Sequence, residues 1–241
     1  MTQQFYVSPE QLMKDRADFA RKGIGRGRSV VVMACRDGIA LVAENPSPSL
    51  HKLGEIYDRI AFAAVGKYNE FESLRQAGVR YADVRGYSYA REDVTARGLA
   101  SVYAQSLGAV FTAESKPFEV ELVVAEVGET PAGDHLYRLT FDGSIADETG
   151  MVVIGGAADS VVGALRGRWT KDLAFPEAIR AAVVSLQNDG AAGQPAHPLT
   201  SAVLEVAVLD REPGTTRGSR RAFRRISATE VDAMLAEGGR A

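Results

Sequence analysis

The chain has 241 residues, 46% hydrophobic and 24% charged, with a formal net charge of −3. This composition excludes a disordered chain and gives no general attraction for nucleic acid, while the length suits one large domain or two small ones. The single cysteine, Cys35, excludes an internal disulfide and fits a reducing cytoplasm.

The opening residues carry acidic side chains and no apolar run of signal-peptide length. No later run nears the ~18 apolar residues of a membrane span, so neither export nor embedding is expected. Residues 9–23 read as a helix, with Ser8 as cap, Pro9 in the first turn and Leu12, Met13, Phe19 and Ala20 as a loose apolar stripe. Gly23, Gly25 and Gly27 then break it. SVVVMAC and IALVAEN flank Asp37-Gly38, a pair that accepts the positive φ of a tight hairpin turn, and a third apolar run covers 60–65. These three runs are expected to form one sheet.

Two helical patterns follow, over about 69–87 and 94–112, long enough to cover one face of a sheet. EVELVVAEV, HLYRLTF, SIADE and MVVIGG then predict a second sheet, with Asp142-Gly143 as a turn. Two more helices, about 158–169 and 176–187, precede the glycine- and proline-rich loop NDGAAGQPAHP. SAVLEVAVL and RRAFRRI are predicted as final strands, and ATEVDAMLAE as a closing helix capped by Ser227 or Thr229. This order is not the β-α alternation of a parallel sheet. It predicts an α+β fold of one domain: two antiparallel sheets face to face with helices on both outer faces, a four-layer αββα sandwich over 28–236.

Several local patterns are better read without special chemistry. Lys67 after Gly66 lacks the preceding glycine and following Ser or Thr of a phosphate loop, and KGIGRGRS follows a helix and opens a strand, the reverse of a dinucleotide fingerprint. A surface lysine and a hinge are expected. Arg217, Arg220, Arg221, Arg224 and Arg225 interleave with Ala222, Phe223 and Ile226, the pattern of a strand with charged outer positions, more suited to salt bridges between subunits than to nucleic acid. His51, His135 and His197 lack metal-ligand spacing, and Asp142 and Asp147 fit turn and strand-end roles. No cofactor or metal site is expected.

Over nearly its whole length the sequence resembles the α-type subunits of the actinobacterial 20S proteasome, within the N-terminal-nucleophile hydrolase superfamily. The resemblance rests on FYVSPEQLMKDRADFARKGIGRGRSVV, LVAENPSPSLHKLGEIYDRIAFAAVGKYNEF, RYADVRGYSYAREDVT, ASVYAQSLGAVFT, KPFEVELVVAEV, LYRLTFDGSIADE and RRAFRRI. Ser8-Pro9, Phe19-Ala20 and Lys22-Gly23 are similar to the turn and helix of that family's prefix, whereas MTQQFYV lacks the Tyr-Asp-Arg cluster of its archaeal and eukaryotic members.

The resemblance implies a noncatalytic subunit. Catalytic relatives use the free α-amino group of their first residue as the base for its own hydroxyl. Ser29 stands near that nucleophile's place, with Glu44 and Lys52 near a conserved acid and lysine, but residues 1–28 lie in front of it. It further implies homo-heptameric outer rings stacked on rings of a β subunit, an AAA+ ATPase docking on the α face, and degradation of proteins tagged with prokaryotic ubiquitin-like protein in the cytoplasm. Residues 1–8, namely Met1, Thr2, Gln3, Gln4, Phe5, Tyr6, Val7 and Ser8, would form the gate. Lys52 would receive the C-terminal carboxylates of the activator. The alternative is a self-processing hydrolase that cleaves before Ser29; Arg28 at that junction, where relatives that process carry glycine, argues against it.

Overall fold

The structure is a computed structural model, and it describes residues 8–187, 199–213 and 221–237. Helix α1, Pro9–Ile24, starts where Ser8 Oγ accepts the Gln11 N–H at 3.2 Å and ends at Gly25, whose N–H bonds back to Arg21 O. Strands β1 (Val30–Cys35) and β2 (Gly38–Glu44) form the expected hairpin, with Gly38 at φ 149. β3 (Leu53–Tyr57) and β4 (Ile60–Gly66) follow, then α2 (Tyr68–Ser88) and α3 (Ala96–Ala113). Four strands come next: β5 (Val120–Glu126), β6 (His135–Leu139), β7 (Ile145–Glu148) and β8 (Met151–Ile154). The chain continues through α4 (Ala158–Arg166), α5 (Phe175–Leu186), β9 (Leu204–Asp210), β10 (Phe223–Arg225) and α6 (Ala228–Glu237). Ser227 caps α6: its Oγ accepts the Glu230 N–H, and the Glu230 carboxylate accepts the Ser227 N–H at 2.9 Å.

Two antiparallel five-stranded sheets result, one ordered β10-β9-β2-β1-β8 and the other β3-β4-β5-β6-β7. This corrects the expected division of strands. The run at 60–65 belongs to the second sheet, and MVVI, expected there, crosses back to pair with β1. β3 was not expected at all, because Gly54 and Glu55 interrupt any apolar alternation in LGEIY.

The apolar runs are continuous because both faces of each sheet are covered, so successive side chains enter two different cores. Val30 and Val32 of β1 enter the layer between the sheets with Ala61, Ala63 and Val65 of β4, while Val31, Met33 and Cys35 face α4, α5 and α6. On the second sheet Ile60, Phe62 and Ala64 pack under α2 and α3 with Leu99, Tyr103 and Leu107. The order of layers is therefore α2 and α3, sheet, sheet, then α4 to α6. Each Val, Leu, Ile, Phe or Met side chain so removed from water contributes about 1.5–3 kcal/mol, and an alanine less, which makes the layered core the main source of stability.

Helix α1 lies outside these layers, over the ends of β4 and β5, with Ala20 and Ile24 buried. Arg16 donates to the Phe111 and Thr112 carbonyls at 2.8 and 3.1 Å, satisfying the open C-terminal end of α3. The Lys116 ammonium sits over the Phe19 ring and the Arg21 guanidinium over Phe141. Leu12, Met13 and Phe19 nonetheless remain exposed, as do Val84, Tyr87 and Tyr89 at the C-terminal end of α2.

Candidate functional site

Ser29 is fully buried immediately before β1, and Val30 pairs with Ala43, so Ser29 and Glu44 stand one register step beyond the last paired residues of the hairpin. Gly155 allows this close approach: a Cβ there would come 2.9 Å from the Ser29 Cα, and its φ of 114 disfavours any side chain. The Gly155 N–H donates to Glu121 at 3.2 Å, and Arg138 Nε donates to the same carboxylate at 2.7 Å. A buried acid on β5 thus fixes the end of β8 against Ser29.

The chain leaves the first sheet at Glu44 and enters the second at Leu53, and the intervening crossover carries Lys52. Side chains close this crossover into a compact turn. Asn45 Oδ1 accepts the Ser47 N–H at 3.1 Å, Ser47 Oγ accepts the Leu50 N–H at 3.1 Å, and Asn45 Nδ2 donates to Leu50 O at 2.8 Å. The half-buried Lys52 turns its ammonium inward, donating to the Arg28 carbonyl at 2.8 Å and the Glu44 carbonyl at 3.0 Å. The Arg28 guanidinium in turn pairs with the buried Glu44 carboxylate.

Ser29, Glu44 and Lys52, grouped by sequence, therefore converge in space. The Ser29 nitrogen is the amide of the Arg28–Ser29 peptide, whose lone pair is delocalised and cannot take a hydroxyl proton as a free amine near pKa ~8 would. The Lys52 ammonium sits on the carbonyl of that same peptide.

Among the gate residues only Ser8 is described, as the exposed cap of α1; Thr2, Gln3, Gln4, Phe5, Tyr6 and Val7 lie outside the described residues. His197, Arg217 and Arg220 lie outside them too. The remaining arginines of the basic run find acids within the chain: Arg221 with Glu55, Arg224 with Asp210 and Glu230, and Arg225 with Glu205. Arg221 and Arg225 line a cleft of about 530 Å³ beside the open edge of β3, where Arg75–Glu72 and Arg91–Asp58 complete a balanced set of ion pairs. Asp142 is a turn residue as expected: its Oδ1 accepts from Ser144 N–H at 3.0 Å and from Thr140 Oγ1 at 2.6 Å, with Gly143 at φ 86. Among the described residues no three His, Cys, Asp or Glu side chains are grouped to hold a metal ion, and no helix is long and apolar enough to cross a membrane.

One functional-site residue escaped sequence reasoning. Glu205, on β9, accepts hydrogen bonds from the Lys52 and Leu53 backbone and from Asn45 and Arg225. Its signal is a lone acid inside the apolar strand SAVLEVAVL, a place where a carboxylate survives only when surrounded by donors.

Paired antiparallel sheets between helical layers, with a hydroxyl residue buried at the head of the first strand, define a four-layer αββα sandwich of the N-terminal-nucleophile hydrolase type. The proteasome-subunit family profile matches residues 24–192, and the chain belongs to that family. Relatives named proteasome subunit alpha include one from Pseudarthrobacter chlorophenolicus, 72% identical over 98% of this chain and 100% of its own length. A second, from an Arthrobacter species, is 73% identical over 98% of this chain and 99% of its own. A third, from Kineococcus radiotolerans, is 63% identical over 99% of this chain and its full length.

Proposed function

We propose that this chain is a noncatalytic α subunit of a proteasome core particle. The observation that carries the reading is the Arg28–Ser29 peptide: the position where a catalytic relative would hold its free amine is an amide, buried and held by Lys52. Relatives named as alpha subunits over essentially the whole chain support it.

In this reading seven copies form an outer ring, and two such rings enclose two β rings that carry the threonine protease sites. The exposed apolar side chains of α1, Leu12, Met13 and Phe19, and the Val84, Tyr87 and Tyr89 group of α2 support a chain built to bury more surface in an assembly. An AAA+ ATPase docks on the α face and feeds it cytoplasmic proteins tagged with prokaryotic ubiquitin-like protein. Residues 1–8 form the gate, seven copies converging on the ring axis. Co-expression with the β subunit should yield a four-ring cylinder by electron microscopy; a monomer alone would contradict the reading. Deleting residues 1–8 should accelerate peptide hydrolysis by the assembled particle, and an unchanged rate in an intact particle would remove the gate.

Lys52 receives the activator's C-terminal carboxylate. Its ammonium donates to the Arg28 and Glu44 carbonyls, among its contacts, and an incoming carboxylate would add a charge-assisted hydrogen bond, roughly twice as strong as a neutral one. Truncating one partner of a desolvated pair costs about 2–5 kcal/mol, so Lys52→Ala should abolish stimulation by the ATPase. Normal stimulation of the variant particle would take Lys52 out of the role.

A further inference from the structure

The crossover that presents Lys52 is closed at its start by Asn45 and Ser47 and tied to the first sheet at its end by the Glu205 side chain. Glu205 pairs with Ala43 in the β2–β9 register, and its side chain is only 9% exposed. Its Oε2 accepts the Lys52 N–H at 2.8 Å and Asn45 Nδ2 at 2.8 Å. Its Oε1 accepts the Leu53 N–H at 3.2 Å and an Arg225 guanidinium N–H at 2.6 Å, and His51 Nδ1 lies 3.2 Å from the same oxygen. Arg225 closes the other side by donating to Leu53 O at 2.6 Å.

The two amides that flank the Lys52 Cα on its own residue and the next are thus both bound by one carboxylate. Such an arrangement fixes the root of the lysine stem more tightly than strand pairing alone. The Ala64 N–H bonds to the Lys52 carbonyl at 3.0 Å and supplies the remaining backbone restraint. From that root the ammonium reaches the Arg28 and Glu44 carbonyls. A flexible four-carbon stem loses much freedom when its head is bound, and a fixed root lowers that cost before any ligand arrives.

We propose that Glu205 is the positioning residue for Lys52: its carboxylate sets where the ammonium meets an incoming C-terminal carboxylate, and so sets the affinity for activator peptides without touching them. This rests on the reading of Lys52 as the docking cation. Glu205→Gln keeps the shape but turns one oxygen into an NH2 group, which then faces N–H donors. At least one restraint on the 52–53 backbone is lost.

The test uses the particle assembled with its β subunit and a fluorescein-labelled peptide carrying the C-terminal residues of the same organism's AAA+ ATPase, as free acid or as amide. Binding is read by fluorescence polarisation. The free acid should bind in preference to the amide, Lys52→Ala should remove that preference, and Glu205→Gln should weaken free-acid binding about tenfold. In the Lys52→Ala background Glu205→Gln should add nothing, because residues acting through one contact are non-additive whereas independent sites add.

Unaltered binding by Glu205→Gln alongside loss in Lys52→Ala overturns the positioning role and leaves the docking reading standing. An equal further loss in the double variant overturns it as well, since Glu205 would then act elsewhere. Full binding by Lys52→Ala overturns both. If Glu205→Gln does not assemble, Arg225→Gln loosens the same clamp from its exposed side and should weaken binding about threefold, again with no effect once Lys52 is gone. No loss, or an additive loss, contradicts the proposal.

Discussion

At the turn end of the β1–β2 hairpin, Arg211 and Asp134 face each other at 2.8 Å with side chains 9% and 5% exposed. At the opposite end the acids are just as buried, Glu44 at 3% and Glu205 at 9%, but the nitrogen-bearing side chains over them are not: Arg28 is 50% exposed, His51 47% and Arg225 41%. The first cluster is closed on itself. Arg211 also donates to the Gly128 carbonyl at 3.0 Å, the Arg211 N–H bonds to the Asp37 carbonyl, and the Asp37 carboxylate accepts the Phe175 N–H at 2.8 Å. Three loops and a helix start are joined there with both charges out of water. The second cluster has buried acids beneath Arg28 and Arg225, whose side chains face solvent, while the Lys52 ammonium turns inward beside them. Similar residue types therefore serve as a structural rivet at one end and, on the proposed reading, as a docking surface at the other.

The largest effect should come from breaking the closed cluster. Removing one member of a buried pair leaves the other charge uncompensated, so Asp134→Ala should lower unfolding free energy by about 3–5 kcal/mol in chemical denaturation. It should leave peptide docking unchanged. A loss below about 1 kcal/mol, the ceiling for exposed pairs, would erase the contrast between the two ends.

Cys35 sharpens the same contrast through pH. Burial pushes its thiol up from 9.0 to about 11, against opposing hydrogen bonds from the Asp37 and Gly38 backbone. The folded state holds this proton more tightly than the unfolded one, so the stabilisation is complete below pH 9 and is lost as pH rises towards 11. Wild type should therefore lose about 2 kcal/mol more than Cys35→Ala across that window, at ~1.4 kcal/mol per pKa unit. Parallel alkaline denaturation profiles for the two proteins would show that this end is not as dry as its geometry requires.

The smallest effect belongs to the open end. Arg28 is half exposed, so solvent screens its side of the pair, while Glu44 stays buried and loses one partner; Arg28→Ala should cost about 1–2 kcal/mol by thermal or chemical denaturation. A loss comparable to that of Asp134→Ala would place both ends in one class.

How much of this was legible in the sequence follows from the range of the forces involved. The β1–β2 hairpin was readable because Asp37-Gly38 and the flanking apolar runs are local signals, and α1 because Ser8, Pro9 and the apolar stripe are local too. The exchange of β4 and β8 between sheets was not readable, since strand partnership depends on pairings such as Val30 with Ile154 that no periodicity records. β3 was hidden because it is held at its start by the Glu205 carboxylate and by pairing to β4, not by its own pattern. At the site, Ser29, Glu44 and Lys52 were found through family resemblance, while Glu205, 153 residues from Lys52, was not. The charged outer positions of RRAFRRI were legible as a pattern, but the acids that Arg221, Arg224 and Arg225 meet within the chain lie far away in sequence or in the next helix and were not.

On the proposed reading, the Ser29 amide keeps this chain out of the chemistry. Intact mass spectrometry of the chain from the particle assembled with β subunits, after exposure to a covalent threonine-protease inhibitor, tests it most directly. Ser29 should still be joined to Arg28 and carry no adduct. A chain beginning at Ser29 with the inhibitor attached there would contradict it.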